Sequence, residues 1–67
     1  MNHFMKRLSE LMKAESVSQN KLAQALHVKQ QTISRYVNGT REPDIATIKK
    51  LCDFFDVSAG YLLGFEE

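Results

Sequence analysis

Two short amphipathic segments lie almost end to end in the middle of this 67-residue chain. Ser18 predicts the N-cap of a helix that extends through about Leu26. A further helix is predicted from about Gln30 to Asn38, and a glycine follows it where helices commonly end. The connection, residues 27–29, is too short for the two helices to pack as an antiparallel hairpin. They must therefore cross steeply.

The remainder of the chain predicts three more helices and no strand. Apolar residues at helical spacing indicate a first helix over roughly residues 3–14, with the stripe Phe4, Leu8, Leu11 and Met12. Asp44 predicts the cap of a fourth helix, whose expected inner stripe is Ile45, Ile48, Leu51, Cys52 and Phe55. Ser58 predicts the cap of a last short helix over residues 59–63, which Gly64 ends. The predicted fold class is all-α, with five short helices in a single domain over residues 1–67.

The two middle helices have different inner and outer faces. Leu22, Ala23 and Leu26 form the expected inner face of one, and Ile33 and Val37 that of the other, with Tyr36 expected at its edge. The outer face of the later helix carries Gln30, Gln31, Thr32, Ser34 and Arg35. Glutamine matches the N6/N7 edge of adenine, and arginine matches the O6/N7 edge of guanine. A helix held in this geometry can place its outer face in the major groove of DNA.

Charge is distributed unevenly, although the net charge is only +1. Residues 1–41 contain seven Lys or Arg and two Asp or Glu, for +5, whereas residues 42–67 contain two and six, for −4. Segment 16–41 has no acidic residue. This asymmetry indicates a polyanion that meets one face of the protein, and a simply solvated surface is an equal alternative from charge alone.

Several classes of function are disfavoured by composition. The longest apolar run is Tyr61–Leu63, which excludes a membrane-spanning helix and a secretory signal, so we expect a cytoplasmic protein that does not bind membranes. The single cysteine, Cys52, has no disulfide partner and no metal-site spacing. Two histidines, one cysteine and no glycine-rich phosphate loop supply no catalytic constellation. We therefore expect no enzyme activity, no metal and no cofactor.

Four stretches of the chain carry a family pattern: SQNKLA at 18–23, VKQQTISRY at 28–36, NGTREP at 38–43 and VSAGYLLG at 57–64. Through these stretches the chain resembles, from about Leu8 to Gly64, the Cro/C1-type (XRE-family) helix-turn-helix domains of phage repressors and bacterial regulators. It implies a lambda-repressor-like fold and a transcriptional regulator, expected to be a repressor, that binds double-stranded DNA in a sequence-specific manner. The alternative is a protein-interaction module, such as an antitoxin that binds a protein partner and regulates its own synthesis.

The resemblance also implies roles for individual polar residues. The expected base contacts are Gln30, Gln31, Ser34 and Arg35. Gln19 would bond a phosphate and brace Gln30. Lys21 and Lys29 depart from the family pattern, which often has an acidic capping residue and a serine N-cap at these positions. A cation at a helix N-terminus is unfavourable unless a phosphate lies close. The expected phosphate contacts are Gln19, Asn38 and Arg41 from the resemblance, and Lys21 and Lys29 from this electrostatic argument.

The chain departs from the family pattern where three helices end. The family often has glycine at these positions, and this chain has Ser16, His27 and Asp56. Asp and His tolerate the left-handed conformation better than most residues do, so we expect the fold to persist at some cost in strain.

One helix reads only a few base pairs, so such motifs usually act in symmetric pairs. We therefore expect a homodimer on a palindromic operator. The expected dimer surface is C-terminal and includes Phe54, Tyr61 and Phe65, because an exposed apolar patch commonly marks an interface. The alternative is that Phe54 and Phe65 fold back onto the core.

Overall fold

All the regular structure in residues 2–66, the part of the chain that the computed structural model describes, is α-helical. The helices are α1 (Asn2–Ala14), α2 (Gln19–Leu26), α3 (Gln30–Asn38), α4 (Ile45–Phe55) and α5 (Ala59–Leu63). The predicted all-α class and its five helices are confirmed. Met1 and Glu67, which the predicted 1–67 domain includes, lie outside the described residues.

Three helices begin at the side-chain caps that the sequence predicts. The side chains of Ser18, Asp44 and Ser58 accept hydrogen bonds, at 3.0, 2.8 and 3.0 Å, from the backbone N–H three residues further on. Each cap satisfies a donor that the first helical turn leaves without an intrahelical partner. At Asp44, the hydrogen bonds from the side chain and backbone of Thr47 lower the pKa of the carboxyl group.

Every helix ends at a residue with positive φ. Gly39 and Gly64 end α3 and α5 with φ of 78° and 86°. Ser16, His27 and Asp56 end α1, α2 and α4 with φ of 54°, 58° and 56°. The expectation that these three take the left-handed conformation without glycine is confirmed, and each carries a steric cost that glycine avoids.

The core lies where α1 and α4 meet the α2–α3 pair and α5. Its buried side chains are Phe4, Leu8, Met12, Leu22, Ala23, Leu26, Ile33, Tyr36, Leu51, Phe55 and Leu62. The Phe4 ring meets the Tyr36 ring edge-on, with centroids 5.9 Å apart. This contact corrects the expectation that Tyr36 lies at the edge of α3: it is only 3% exposed because the α1 ring covers it.

The predicted inner stripe of α4 is wrong at its first residue. Ile45 is 85% exposed, whereas Leu51 and Phe55 are buried as expected. Ile45 begins the helix, and the buried position in the first turn is occupied by Thr47, which is 8% exposed. Helical periodicity predicts which residues share a face, but it does not predict how far along the helix neighbouring elements extend.

The short α5 is held against α1 by an arginine. The Arg7 guanidinium stacks 4.2 Å from the centre of the Tyr61 ring, and its Nη1 donates a 3.1 Å hydrogen bond to the Tyr61 carbonyl. The two residues are 54 positions apart in sequence. One side chain thus contributes a cation–π contact and a hydrogen bond that join the two ends of the chain.

Candidate nucleic-acid interface

The turn between α2 and α3 is built from local hydrogen bonds. The backbone N–H of His27 donates to the Gln24 carbonyl at 3.3 Å, and that of Val28 donates to the Ala23 carbonyl at 3.0 Å. Both bonds close the C-terminal end of α2 around the left-handed His27. The chain then enters α3 directly, and Ile33 packs in the core with the inner face of α2.

The outer face of α3 is polar and accessible. Gln30, Gln31 and Arg35 are exposed, and Ser34 is half-buried at the side of the same surface. The structure therefore brings the four residues expected to contact bases onto one helix, with three of them free of core packing. These side chains can donate and accept the hydrogen bonds that base edges offer in a major groove.

A hydrogen bond connects the beginnings of the two helices. Gln30 Nε2 donates to Gln19 Oε1 over 2.6 Å, joining side chains that are eleven residues apart. The bracing contact between these glutamines that the family resemblance implies is therefore present. It restrains Gln30, the first polar side chain of α3, next to the amide group of Gln19.

Lysines stand at the N-terminal ends of both helices. Neither α2 nor α3 has an acidic residue in its first turn, and Lys29, the N-cap of α3, makes no side-chain cap hydrogen bond. The side chains of Lys21 and Lys29 are both exposed. Unsatisfied N–H groups, the positive end of each helix dipole and these ammonium groups all favour an anion at this location.

The segment that follows α3 is fixed by one carbonyl. The Arg35 oxygen accepts hydrogen bonds from the backbone N–H groups of Thr40 and Arg41 at 3.0 and 3.3 Å, and from Thr40 Oγ1 at 3.3 Å. Asn38 and Arg41 are exposed at this end of the helix. The sequence interpretation did not single out Thr40. Its position directly after the glycine that ends α3 could have indicated this bond, because threonine hydroxyls often hydrogen-bond to nearby backbone groups.

The three aromatic residues expected at a dimer surface do not line one site. Phe65 is 84% exposed and Phe54 is 37% exposed. Phe54 lines a groove between α2 and α4 together with Leu26 and Lys50, whereas Tyr61 lies against α1 beneath Arg7. The C-terminal part of the chain therefore presents two separate candidate patches.

Three further observations concern the cysteine, metal-ligating residues and membrane-spanning helices. Cys52 is half-buried, and burial, reinforced by the charge of Asp53, raises the pKa of its thiol, which disfavours the reactive thiolate. Among residues 2–66, His, Cys, Asp and Glu form no group of three that could hold a metal ion. In the same range, no helix combines the length and the apolar character needed to cross a bilayer.

Five packed helices, with a polar helix presented beyond a tight turn and cations at both of its ends, define a helix-turn-helix DNA-binding domain. A family model described as helix-turn-helix matches residues 8–62. The chain belongs to the Cro/C1-type (XRE) helix-turn-helix family of transcriptional regulators.

Known proteins resemble most of this chain. It is 36% identical over 62 residues to the HTH-type transcriptional regulator ImmR of Bacillus subtilis, covering 92% of this chain and 49% of ImmR. It is 31% identical over 64 residues to the HTH-type transcriptional activator BcrR of Enterococcus faecalis, covering 96% of this chain and 31% of BcrR. The chain thus spans half or less of the length of these relatives.

A solved structure shares the fold. The crystal structure of a transcriptional regulator from Listeria innocua superimposes with a TM-score of 0.88 at 30% sequence identity. The match covers 96% of this chain and 60% of that one.

Proposed function

We propose that this chain binds specific sequences of double-stranded DNA by placing α3 in the major groove. The observation that carries the proposal is the polar, exposed outer face of α3, restrained at one end by the Gln30–Gln19 hydrogen bond. The helix is nine residues long and is flanked by exposed cations at both ends. That arrangement suits a helix that enters a groove between two phosphate backbones.

The residues of this surface divide into two groups. We propose base contacts for the outer face of α3, namely Gln30, Gln31, Ser34 and Arg35. We propose phosphate contacts for residues at the ends of α2 and α3, namely Gln19, Lys21, Lys29, Asn38 and Arg41. Gln31 and Arg35 are four residues apart and so address neighbouring bases from one face of the helix.

The two groups are distinguished by salt dependence. The preferred site is first obtained by enrichment from a random DNA pool, and affinities of Arg35→Ala and Arg41→Ala are then measured on that site and on random DNA at two salt concentrations. Loss of the Arg35 base contact should cost about 1–3 kcal/mol on the preferred site and little on random DNA. Loss of Arg41 should weaken both and lower the salt slope by roughly one, because one phosphate fewer is neutralised.

Lys49→Ala provides the matched control, because Lys49 is an exposed cation on α4 outside the proposed surface. It should leave the affinity for both DNAs and the salt slope unchanged. Equal loss on both DNAs for Arg35→Ala, or a change in sequence preference alone for Arg41→Ala, would show that the roles are assigned incorrectly.

We also propose that the protein acts as a homodimer on a palindromic operator in the cytoplasm. One nine-residue helix contacts too few base pairs to specify a site in a genome, and a two-fold pair doubles the contacted sequence. Enrichment from the random pool should return inverted repeats about 10 base pairs, or a multiple, from centre to centre. Single half-sites without symmetry would contradict the dimer.

Repression is the regulatory outcome that we propose. Blocking a promoter requires only the DNA-binding surface, whereas activation requires an additional contact with the transcription machinery. A reporter with the enriched site overlapping the promoter should lose expression when the protein is produced. Increased expression from a site placed upstream would instead assign activation, which is the activity named for BcrR.

A further inference from the structure

A side chain from α4 bonds the end of α2, at the turn between α2 and α3. Lys50 Nζ donates a 3.2 Å hydrogen bond to the carbonyl of Leu26, across 24 positions of sequence. Leu26 is the last residue of α2, and the left-handed His27 follows it. Lys50 therefore contacts the backbone at the point where the chain leaves α2 and turns toward α3.

The C-terminal end of α2 has no cation of its own. Its last turn contains no basic residue. The carbonyl groups of a last helical turn have no intrahelical partner, and together with the helix dipole they favour a positive charge. Backbone N–H groups of the turn satisfy the carbonyls of Ala23 and Gln24. At Leu26, the Lys50 ammonium supplies both the donor and the charge.

The groove between α2 and α4 explains how this side chain reaches the carbonyl. Its lining includes Ala25 and Leu26 from α2, and Lys50 and Phe54 from α4. Lys50 and Phe54 are four residues apart and so share one face of α4. A lysine stem is compatible with such an apolar lining, while its ammonium bonds a polar group at the end. The positive charge is thereby directed at the backbone of α2.

This bond lies between the two groups of proposed phosphate contacts. Gln19 and Lys21 are at the beginning of α2, and Asn38 and Arg41 are in the segment between α3 and α4. The two groups therefore belong to opposite ends of α3. Since α2 is a helix packed against α4, a bond that fixes its C-terminal end on α4 restrains the spacing of the two groups around α3.

We propose that Lys50 is a positioning residue for DNA recognition: its bond to the carbonyl end of α2 holds the α2–α3 pair in one orientation relative to α4. This inference rests on the proposed binding of DNA by α3 and adds a residue that does not itself contact DNA. Base contacts require precise placement of α3 in the groove, whereas contacts with the repeating phosphates carry no sequence information. Loss of the bond should therefore reduce discrimination between DNA sequences more than it reduces binding to DNA in general.

Affinities of the full chain for its preferred site and for random DNA test this role. Lys50→Met removes the donor and the charge but keeps an unbranched stem. It should weaken binding to the preferred site about threefold to tenfold, the loss expected for one hydrogen bond, and change binding to random DNA by less than about twofold. The salt slope should stay unchanged, because no phosphate contact is removed. Lys50→Arg keeps a cationic donor and should restore most of the preference.

A matched control and two further measurements separate positioning from charge and from stability. Lys49→Met makes the same change in net charge at an exposed neighbour, about 100° around α4, and should bind both DNAs as the native chain does. The NMR resonance of the Leu26 carbonyl carbon should shift in Lys50→Met and return in Lys50→Arg. Lys50→Met should also lower Tm, so affinities are compared at a temperature at which circular dichroism shows every variant fully folded.

Several results would overturn the positioning role. A lower Tm for Lys50→Met, with the native preference of the folded protein for its site, would confine Lys50 to stability. Equal losses on both DNAs, with a salt slope lower by roughly one, would make Lys50 a phosphate contact. An equal loss of preference in Lys49→Met, or a Leu26 resonance that Lys50→Arg restores without restoring preference, would also contradict it. A native chain that prefers no DNA sequence would overturn the proposed function itself, while the Leu26 resonance still reports the bond.

Discussion

Replacing His27 with glycine should stabilise this protein, although it removes a side chain. His27 has φ 58° and ψ 43°, at the end of α2. An L-residue is destabilised by roughly 1–2 kcal/mol in this left-handed conformation, whereas glycine has no such steric cost. Glycine also gives the unfolded chain more conformational freedom, and this offsets roughly 0.5–1 kcal/mol of the stability gained by relieving the strain. Because the imidazole is exposed, little packing is lost. The expected net gain for His27→Gly is therefore about 0.5–1 kcal/mol.

Urea and thermal unfolding provide the measurement. For a domain of this size the expected gain corresponds to a rise in Tm of roughly 2–8 °C. His27→Ala is the control, because it removes the imidazole but retains the Cβ that causes the strain, and it should give no comparable gain. DNA affinity should be unchanged, because glycine adopts the same left-handed turn and the exposed imidazole is not among the proposed DNA contacts.

Two results would refute this reasoning. If His27→Gly were neutral or destabilising, the left-handed conformation would carry less strain than its φ implies, or the imidazole would make a stabilising contact. If His27→Ala stabilised as much as His27→Gly, the gain would come from removal of the side chain and not from relief at the backbone.

Two other predictions concern the interface and its neighbouring helix. In a double-mutant cycle of Gln19→Ala and Gln30→Ala, the free energy of operator binding should show a coupling of about 0.5–1.5 kcal/mol, because one hydrogen bond joins the two side chains. The free energy of unfolding should show little coupling, because the site is exposed. Additive losses of affinity would show that the two glutamines act separately. Asp44→Ala should lower Tm at pH 7 because α4 loses its cap. The pKa of Asp44 is lower in the folded state than its ordinary value of 3.8, so its carboxylate stabilises the fold above that pH and loses this contribution as the pH falls through the folded-state pKa. The difference in Tm between the native chain and Asp44→Ala should shrink below about pH 4, and a constant difference down to about pH 2 would contradict this cause.

The helix boundaries could be predicted from the sequence because short-range hydrogen bonds set them. Ser18, Asp44 and Ser58 each bond a backbone N–H three residues away, so the information that begins a helix is contained within one turn. Gly39 and His27 likewise end helices through interactions within a few residues. The outer face of α3 was also predictable, because side chains on one side of a helix follow from its period alone.

Contacts between distant parts of the chain decided which residues of each apolar stripe are buried, and helical periodicity alone could not predict this. Tyr36 is buried because Phe4 covers it, and Ile45 is exposed although it continues the apolar spacing of its helix. The cation–π contact and hydrogen bond between Arg7 and Tyr61 join residues 54 positions apart in sequence. Sequence alone thus determined the helices and the polar outer face of α3, since both arise from interactions within about one helical turn. Only the tertiary structure decided the edges of the core and the contact between α1 and α5, because these depend on which distant elements come to lie beside each helix.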